Sequence, residues 1–224
     1  MPLIFCIFFY KKLNTKVSKA FLYYSLLLSI FSILSYSALE VLGNKEAYIA
    51  ILKTYAFFEF LIISIFFSYL LKKKFIANLI LLIIIPFFIF ALLDYILTDK
   101  KQFNNHTNLV SAFLIIVYVI YYLFEKMKTV VMSPLYQSRP FWICVAYLVY
   151  FAGTFFFFLF ISSSNDKAFK VQMSYIYTFV TITKNILLCL SLFASENIEH
   201  TDDALHIPSD INLDEFSLTS NKNS

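Results

Sequence analysis

Glycine occurs only twice in 224 residues, so no Gly-rich loop exists to cradle a phosphate, and nucleotide-binding motifs have nothing to rest on. Histidine occurs three times. His106, His200 and His206 all fall outside the apolar runs, which removes the imidazole clusters that metal sites and His-activated nucleophiles require. Cys6, Cys144 and Cys189 lie in apolar segments without CxxC spacing or a neighbouring histidine, and read as small hydrophobes rather than as a disulfide or metal set. Charge is scarce too. Only 14% of residues are charged, against about 25% in an ordinary soluble domain, and that shortfall argues against a solvated globule.

What remains is apolar. Hydrophobic residues make up 60% of the chain and aromatics 20%, in successive runs long enough to cross a bilayer, which needs roughly 20 apolar residues per helix. The runs predict six full spans at 20–42, 49–71, 75–97, 108–125, 141–161 and 172–195. None shows the strict two-residue alternation of a barrel strand, and only helices or closed barrels satisfy their backbone in lipid. The fold class that follows is all-α: a polytopic transmembrane helix bundle as one domain over 1–195, with a tail over 196–224. Pro86 in "LLIIIPFFIF" falls in mid-span, where a missing backbone donor predicts a kink.

Ten apolar residues, "MPLIFCIFFY", open the chain ahead of "KKLNTKVSK", and at about 1.5 Å each they reach half way across the hydrocarbon. Three readings fit: an interfacial or re-entrant segment, a signal-like apolar region, or the second half of a truncated first helix. The lack of a basic leader and of a small-residue cleavage site disfavours the signal peptide; the truncated helix is the expectation.

Orientation follows from lysine counting over short loops. Lys11, Lys12, Lys16, Lys19, Lys72, Lys73, Lys74, Lys126, Lys128 and Arg139 fall on one side, and Lys45, Lys53, Lys100, Lys101, Lys167 and Lys170 on the other. Ten charges against six place the first set in the cytoplasm, together with the C-terminus. The tail holds seven Asp/Glu and one Lys, with few large apolar residues, so it is expected to be a disordered acidic cytoplasmic segment. Two roles fit it: a solvated tail, or a docking peptide for a cytoplasmic protein partner through "DINLDEFSL". The rest of the chain carries seventeen Lys/Arg against seven Asp/Glu, a basic balance dispersed over loops, so no nucleic-acid partner is expected. The match to a glycosylation sequon at Asn105 reads as chance in what looks like the Lys/Asn/Ile/Phe-heavy usage of an AT-rich bacterium.

Two ionisable residues stand well inside the spans, Glu59 in "TYAFFEFLIIS" and Lys184 in "TITKNILL". A charge at that depth costs about 2.5–3.5 kcal/mol on insertion scales, so each should face the bundle interior and find a partner. They are natural candidates for one another. From the outer surface Glu59 lies about 9 Å along its helix and Lys184 about 20 Å along its own, by the helical rise; lysine snorkelling, tilt or an intervening Tyr or Thr hydroxyl would close the difference. On a 100° helical wheel, Ser174, Tyr177, Thr178, Thr181, Lys184, Asn185 and Cys189 share one arc of the last span, and Thr183 points away. Ser25, Ser29, Ser32, Ser35, Tyr36 and Glu40 do the same in the first. Tyr147, Tyr150 and Thr154 form a shorter stripe, and Tyr55 lies one turn from Glu59. The serine stripe reads first as helix-packing glue, and Asp94 as a solvated helix end. The intramembrane site candidates, ligand-binding or structural, are Glu59, Lys184, Asn185, Thr181, Tyr177, Tyr55 and Tyr150.

The segments "PLIFCIFFYKKL", "YAFFEFLIIS", "FWICVAYLVYFAG" and "TITKNILL" resemble a group of small uncharacterised seven-helix integral membrane proteins of Bacteroidetes-type bacteria. The resemblance implies a shortened first helix and points to Glu59, Lys184 and Asn185, but brings no activity with it. The leading expectation is a non-enzymatic sensor or ligand-binding module of the bacterial inner membrane, with a polar pocket opening toward the outer side, in which a change at either charge unpairs the other. A small-solute or proton-coupled transporter is the alternative, although no inverted repeat or Gly/Pro-broken helix pair is visible. Catalysis would rest on Glu59 alone, and a retinal Schiff base at Lys184 finds Val180 where the microbial rhodopsin pattern has an acid. No metal and no cofactor is expected.

Overall fold

The computed structural model describes residues 16–97, 106–129, 138–163 and 166–194. The expectations for the N-terminal apolar segment, the acidic tail, Asn105 and Cys6 lie outside these residues. The described chain forms α1 (Lys16–Tyr36), α2 (Lys45–Leu70), α3 (Lys74–Leu97), α4 (His106–Thr129), α5 (Arg139–Ser163) and α6 (Lys167–Ser191), with no strand among them. All six helices are long and apolar enough to cross a membrane, and the chain is a multi-pass helical membrane protein.

Local chemistry sets the ends. α1 loosens into a π-helical turn over Ser37–Val41, closed by bonds from Leu42 N to Ser37 O and from Asn44 N to Ala38 O, both 3.0 Å. Gly43 then takes φ +61°, a left-handed conformation open to glycine at little cost, and Asn44 caps α2 by accepting from Ala47 N at 3.0 Å. Asp166 caps α6 in the same way, accepting from Ala168 N at 3.0 Å, which is why that helix starts five residues before the apolar run. α3 runs unbroken through Pro86.

α2 is the central post, packed against α1, α3 and α4, while α4 and α6 flank α5. Apolar surface gains little from leaving lipid for protein, so close packing must hold such a bundle. Two devices supply it. Phe60, Ile63, Phe66 and Phe67 of α2 are fully buried against Ile115, Val119 and Tyr122 of α4 and Ile143 and Tyr147 of α5, with Phe66 edge-on to Tyr147 at 5.9 Å. Gly153 lets α5 close on α6 so tightly that a Cβ there would stand 2.7 Å from Val180 Cγ2. α3 touches the core through a single narrow face, Ala77, Ile80 and Phe87.

Candidate functional site

Glu59 occupies the middle of α2, and its side chain is 7% exposed. Tyr55, one helical turn earlier, donates its hydroxyl to Oε1 at 2.6 Å. Tyr24 of α1 donates to the same oxygen at 2.9 Å. The Tyr24 hydroxyl in turn accepts from Lys184 Nζ at 3.2 Å, and the ammonium rests over the Tyr150 ring of α5, 3.6 Å from its centroid. Lys184 is 1% exposed. Carboxylate, phenol and ammonium thus form one chain across α2, α1 and α6, with the π-face of α5 as backing.

The physics behind it is compensation. An isolated charge in this setting must be hydrogen-bonded or paired; here Glu59 has two phenolic donors and Lys184 has a hydroxyl acceptor and an aromatic quadrupole, each a recognised counterpart for a cation or anion. The acid and amine stand one hydroxyl apart. At a separation of about 6 Å and an effective dielectric of about 20, their attraction is roughly 3 kcal/mol, enough to hold α6 against the α1–α2 pair and to make the hydroxyl between them hard to remove.

Glu59 also forms part of a cavity of about 420 Å³. Its walls come from α2 (Tyr48, Tyr55), α4 (Asn108), α5 (Tyr150, Phe157) and α6 (Tyr177), among others. Tyr48 and Asn108 belong to the first turns of their helices, so the cavity spans from one end of the bundle to a floor at Glu59, about 16 Å deep by the helical rise. Tyr150 and Tyr177 both face the cavity, and Phe157 packs on the Tyr177 ring at 4.9 Å. Both hydrogen bonds to Glu59 fall on Oε1, leaving Oε2 for the cavity.

Of the residues singled out from sequence, Glu59, Lys184, Tyr55 and Tyr150 come together in direct contact, and Tyr177 joins them in the cavity wall. Thr181 and Asn185 do not enter the cluster. Thr181 donates to Tyr177 O at 2.8 Å within its own helix, and Asn185 Oδ1 is buried without a hydrogen-bond partner. The polar arc of α6 is narrower than the wheel suggests, since Ser174 and Thr178 are exposed and Thr178 bonds back to Ser174 O at 2.9 Å. The serine stripe of α1 divides likewise: Ser25 is buried, Ser29 donates to Ser25 O at 3.0 Å, and Ser32 faces outward. Asp94 is half-buried rather than solvated, accepting from Thr107 Oγ1 at 2.9 Å. Sequence reasoning missed Tyr24, although it lies only 20° from Ser35 on the α1 wheel; it expected a polar pocket, but not the part of α4 in its wall.

A polytopic all-α membrane protein with a buried acid–phenol–amine chain at the floor of a tyrosine-lined cavity is the class these observations define. Compared with protein-family models, curated proteins and solved structures, the chain matches none.

Proposed function

We propose that this chain is a non-enzymatic sensor or receptor-like module of a bacterial inner membrane, which binds a small ligand in the Glu59 cavity and passes its occupancy to α6. The observation that carries this reading is the placing of one residue in two systems: Glu59 forms part of the cavity and, through Tyr24, is tied to Lys184 on the last helix. The volume of about 420 Å³ falls within the range of about 300–1,000 Å³ usual for small-molecule sites. A ligand engaging Glu59 would weaken its hold on Tyr24 and so on Lys184, biasing the seating of α6. The lysine-rich loops support an outward-facing cavity and a cytoplasmic C-terminus, from which the acidic tail reaches a protein partner.

The test uses full-length protein in lipid nanodiscs. A ligand at about 100 times its Kd stabilises the fold by about 2.7 kcal/mol, and hydrogen exchange in the second half of α6 changes with occupancy. Stabilisation without any change in α6 would remove the sensor and leave a binding site. The transport reading draws on the same intramembrane acid and amine; ligand accumulation in proteoliposomes would establish it in place of sensing.

A further inference from the structure

The cavity floor also carries information on what fits it. Oε1 of Glu59 is committed to Tyr24 and Tyr55, while Oε2 of the same buried carboxylate has no partner among the described residues. Two other polar groups of the wall are used within their own helices, Thr154 donating to Phe151 O at 3.2 Å and Ser111 to Asn108 O at 2.9 Å, which leaves the neutral Asn108 amide and the phenols of Tyr48, Tyr150 and Tyr177 along the cavity. Among the described residues no lysine or arginine lines the cavity, and the Lys184 ammonium sits against the Tyr150 ring and Tyr24. Aromatic side chains dominate the walls, with Tyr48, Tyr55, Tyr150, Phe157, Phe158 and Tyr177 around the space above Glu59, joined by the aliphatic Ile49, Leu52 and Ala112.

From this arrangement we propose that the cavity takes a small organic ammonium ion with an apolar or aromatic body, its N–H donating to Glu59 Oε2 and its cationic head surrounded by tyrosine and phenylalanine rings. The inference rests on the ligand-binding reading above and names its ligand class. Three competitors fit worse. A metal ion needs several ligands, about four for zinc and about six or more for calcium, and no group of three or more His, Cys, Asp or Glu side chains that could hold one occurs among the described residues. An anion would meet the carboxylate with no cation in the wall to answer it. A neutral donor can bond Oε2 but lacks the charge assistance that makes an N⁺–H bond to a carboxylate the stronger one. An ammonium matches both halves of the site, since carboxylates bind N⁺–H strongly and aromatic faces attract cations. Lys184, on the far side of Tyr24, then acts as a built-in opponent: it holds Glu59 in place and also raises the local positive potential that an incoming cation must overcome.

Three probes sharing a phenylethyl body test the class on the wild-type protein in nanodiscs without any substitution: 2-phenylethylamine, 2-phenylethanol and 3-phenylpropanoate, titrated calorimetrically. The expected result is saturable binding of the amine, at least about tenfold weaker binding of the alcohol, the low end for a charge-assisted bond, and none of the acid. In variants, Glu59→Gln weakens the amine at least about tenfold and leaves the alcohol within about threefold, whereas Lys184→Met tightens the amine. Equal binding of amine and alcohol, or a preference for the acid, overturns the ammonium assignment while leaving a ligand site in place. Absence of binding for all three up to millimolar concentration overturns the assignment and the ligand-binding reading together.

Discussion

The same four helices, α2, α4, α5 and α6, build both a solid half and an open half of this bundle. Below Glu59, Phe66, Phe67, Tyr122, Ile143, Cys144 and Leu188 are all essentially inaccessible, with ring pairs such as Phe66 and Phe67 edge-on at 5.4 Å. Above it, side chains of similar size, Tyr48, Tyr55, Tyr150, Phe157 and Tyr177, surround an open space of about 420 Å³. Hydrophobicity does not separate the two, since aromatic residues dominate both. The difference lies in where their polar atoms are held. In the open half, the Tyr24 and Tyr55 hydroxyls are directed at Glu59, and closing the space would bury Oε2 without a donor. In the solid half buried polar atoms such as Ser64 Oγ and Tyr118 OH are neutral hydroxyls, and the close packing of rings holds it shut.

This contrast can be broken in order of effect. Truncation in the solid half should cost most: Phe66→Ala is expected to lose about 3–5 kcal/mol, read by detergent titration of unfolding, while the folded fraction keeps its ligand affinity. The close α5–α6 approach comes next. Gly153→Ala places a methyl against Val180, an overpacking expected to cost about 1–3 kcal/mol by the same measurement, and Val180→Ala in the same chain should restore most of it. Tyr24→Phe keeps the ring but removes the hydroxyl between the two charges, leaving Lys184 Nζ without its acceptor; a loss of about 1–3 kcal/mol is expected, with Tyr55→Phe smaller because Oε1 retains the Tyr24 bond. The smallest change should come from the outer face of α3, where Leu82 and Ile85 are 62% and 60% exposed; Ile85→Ala should stay within about 0.5 kcal/mol. A larger effect there would mean that α3 has a protein neighbour rather than lipid.

Much of the fold was legible because lipid simplifies the grammar of a sequence. Long apolar runs without two-residue alternation read as helices, and all six expected spans are helices in the structure. Boundaries shifted where capping and charge outrank apolarity, as at Asp166 before α6 and at Lys126 and Lys128, which extend α4 beyond its apolar stretch. Glu59 and Lys184 stood out because a charge in such a run has nowhere to hide. Tyr24 did not, being one of sixteen tyrosines and next to Tyr23, which is 62% exposed; only the rotation of α1 against α2 and α6 distinguishes them. A polar pocket was expected from the intramembrane charges and phenols, but its walls were not legible, since they belong to no single helix but to the spacing of four.

The central claim is that the buried acid and amine act as one unit through the Tyr24 hydroxyl. A double-mutant cycle on unfolding free energy, with Glu59→Gln and Lys184→Met, measures it directly: the account predicts a coupling of about 1 kcal/mol or more that vanishes when the cycle is repeated in Tyr24→Phe. Additive losses, within about 0.3–0.5 kcal/mol, in the wild-type background would show the two charges to be independent and contradict it.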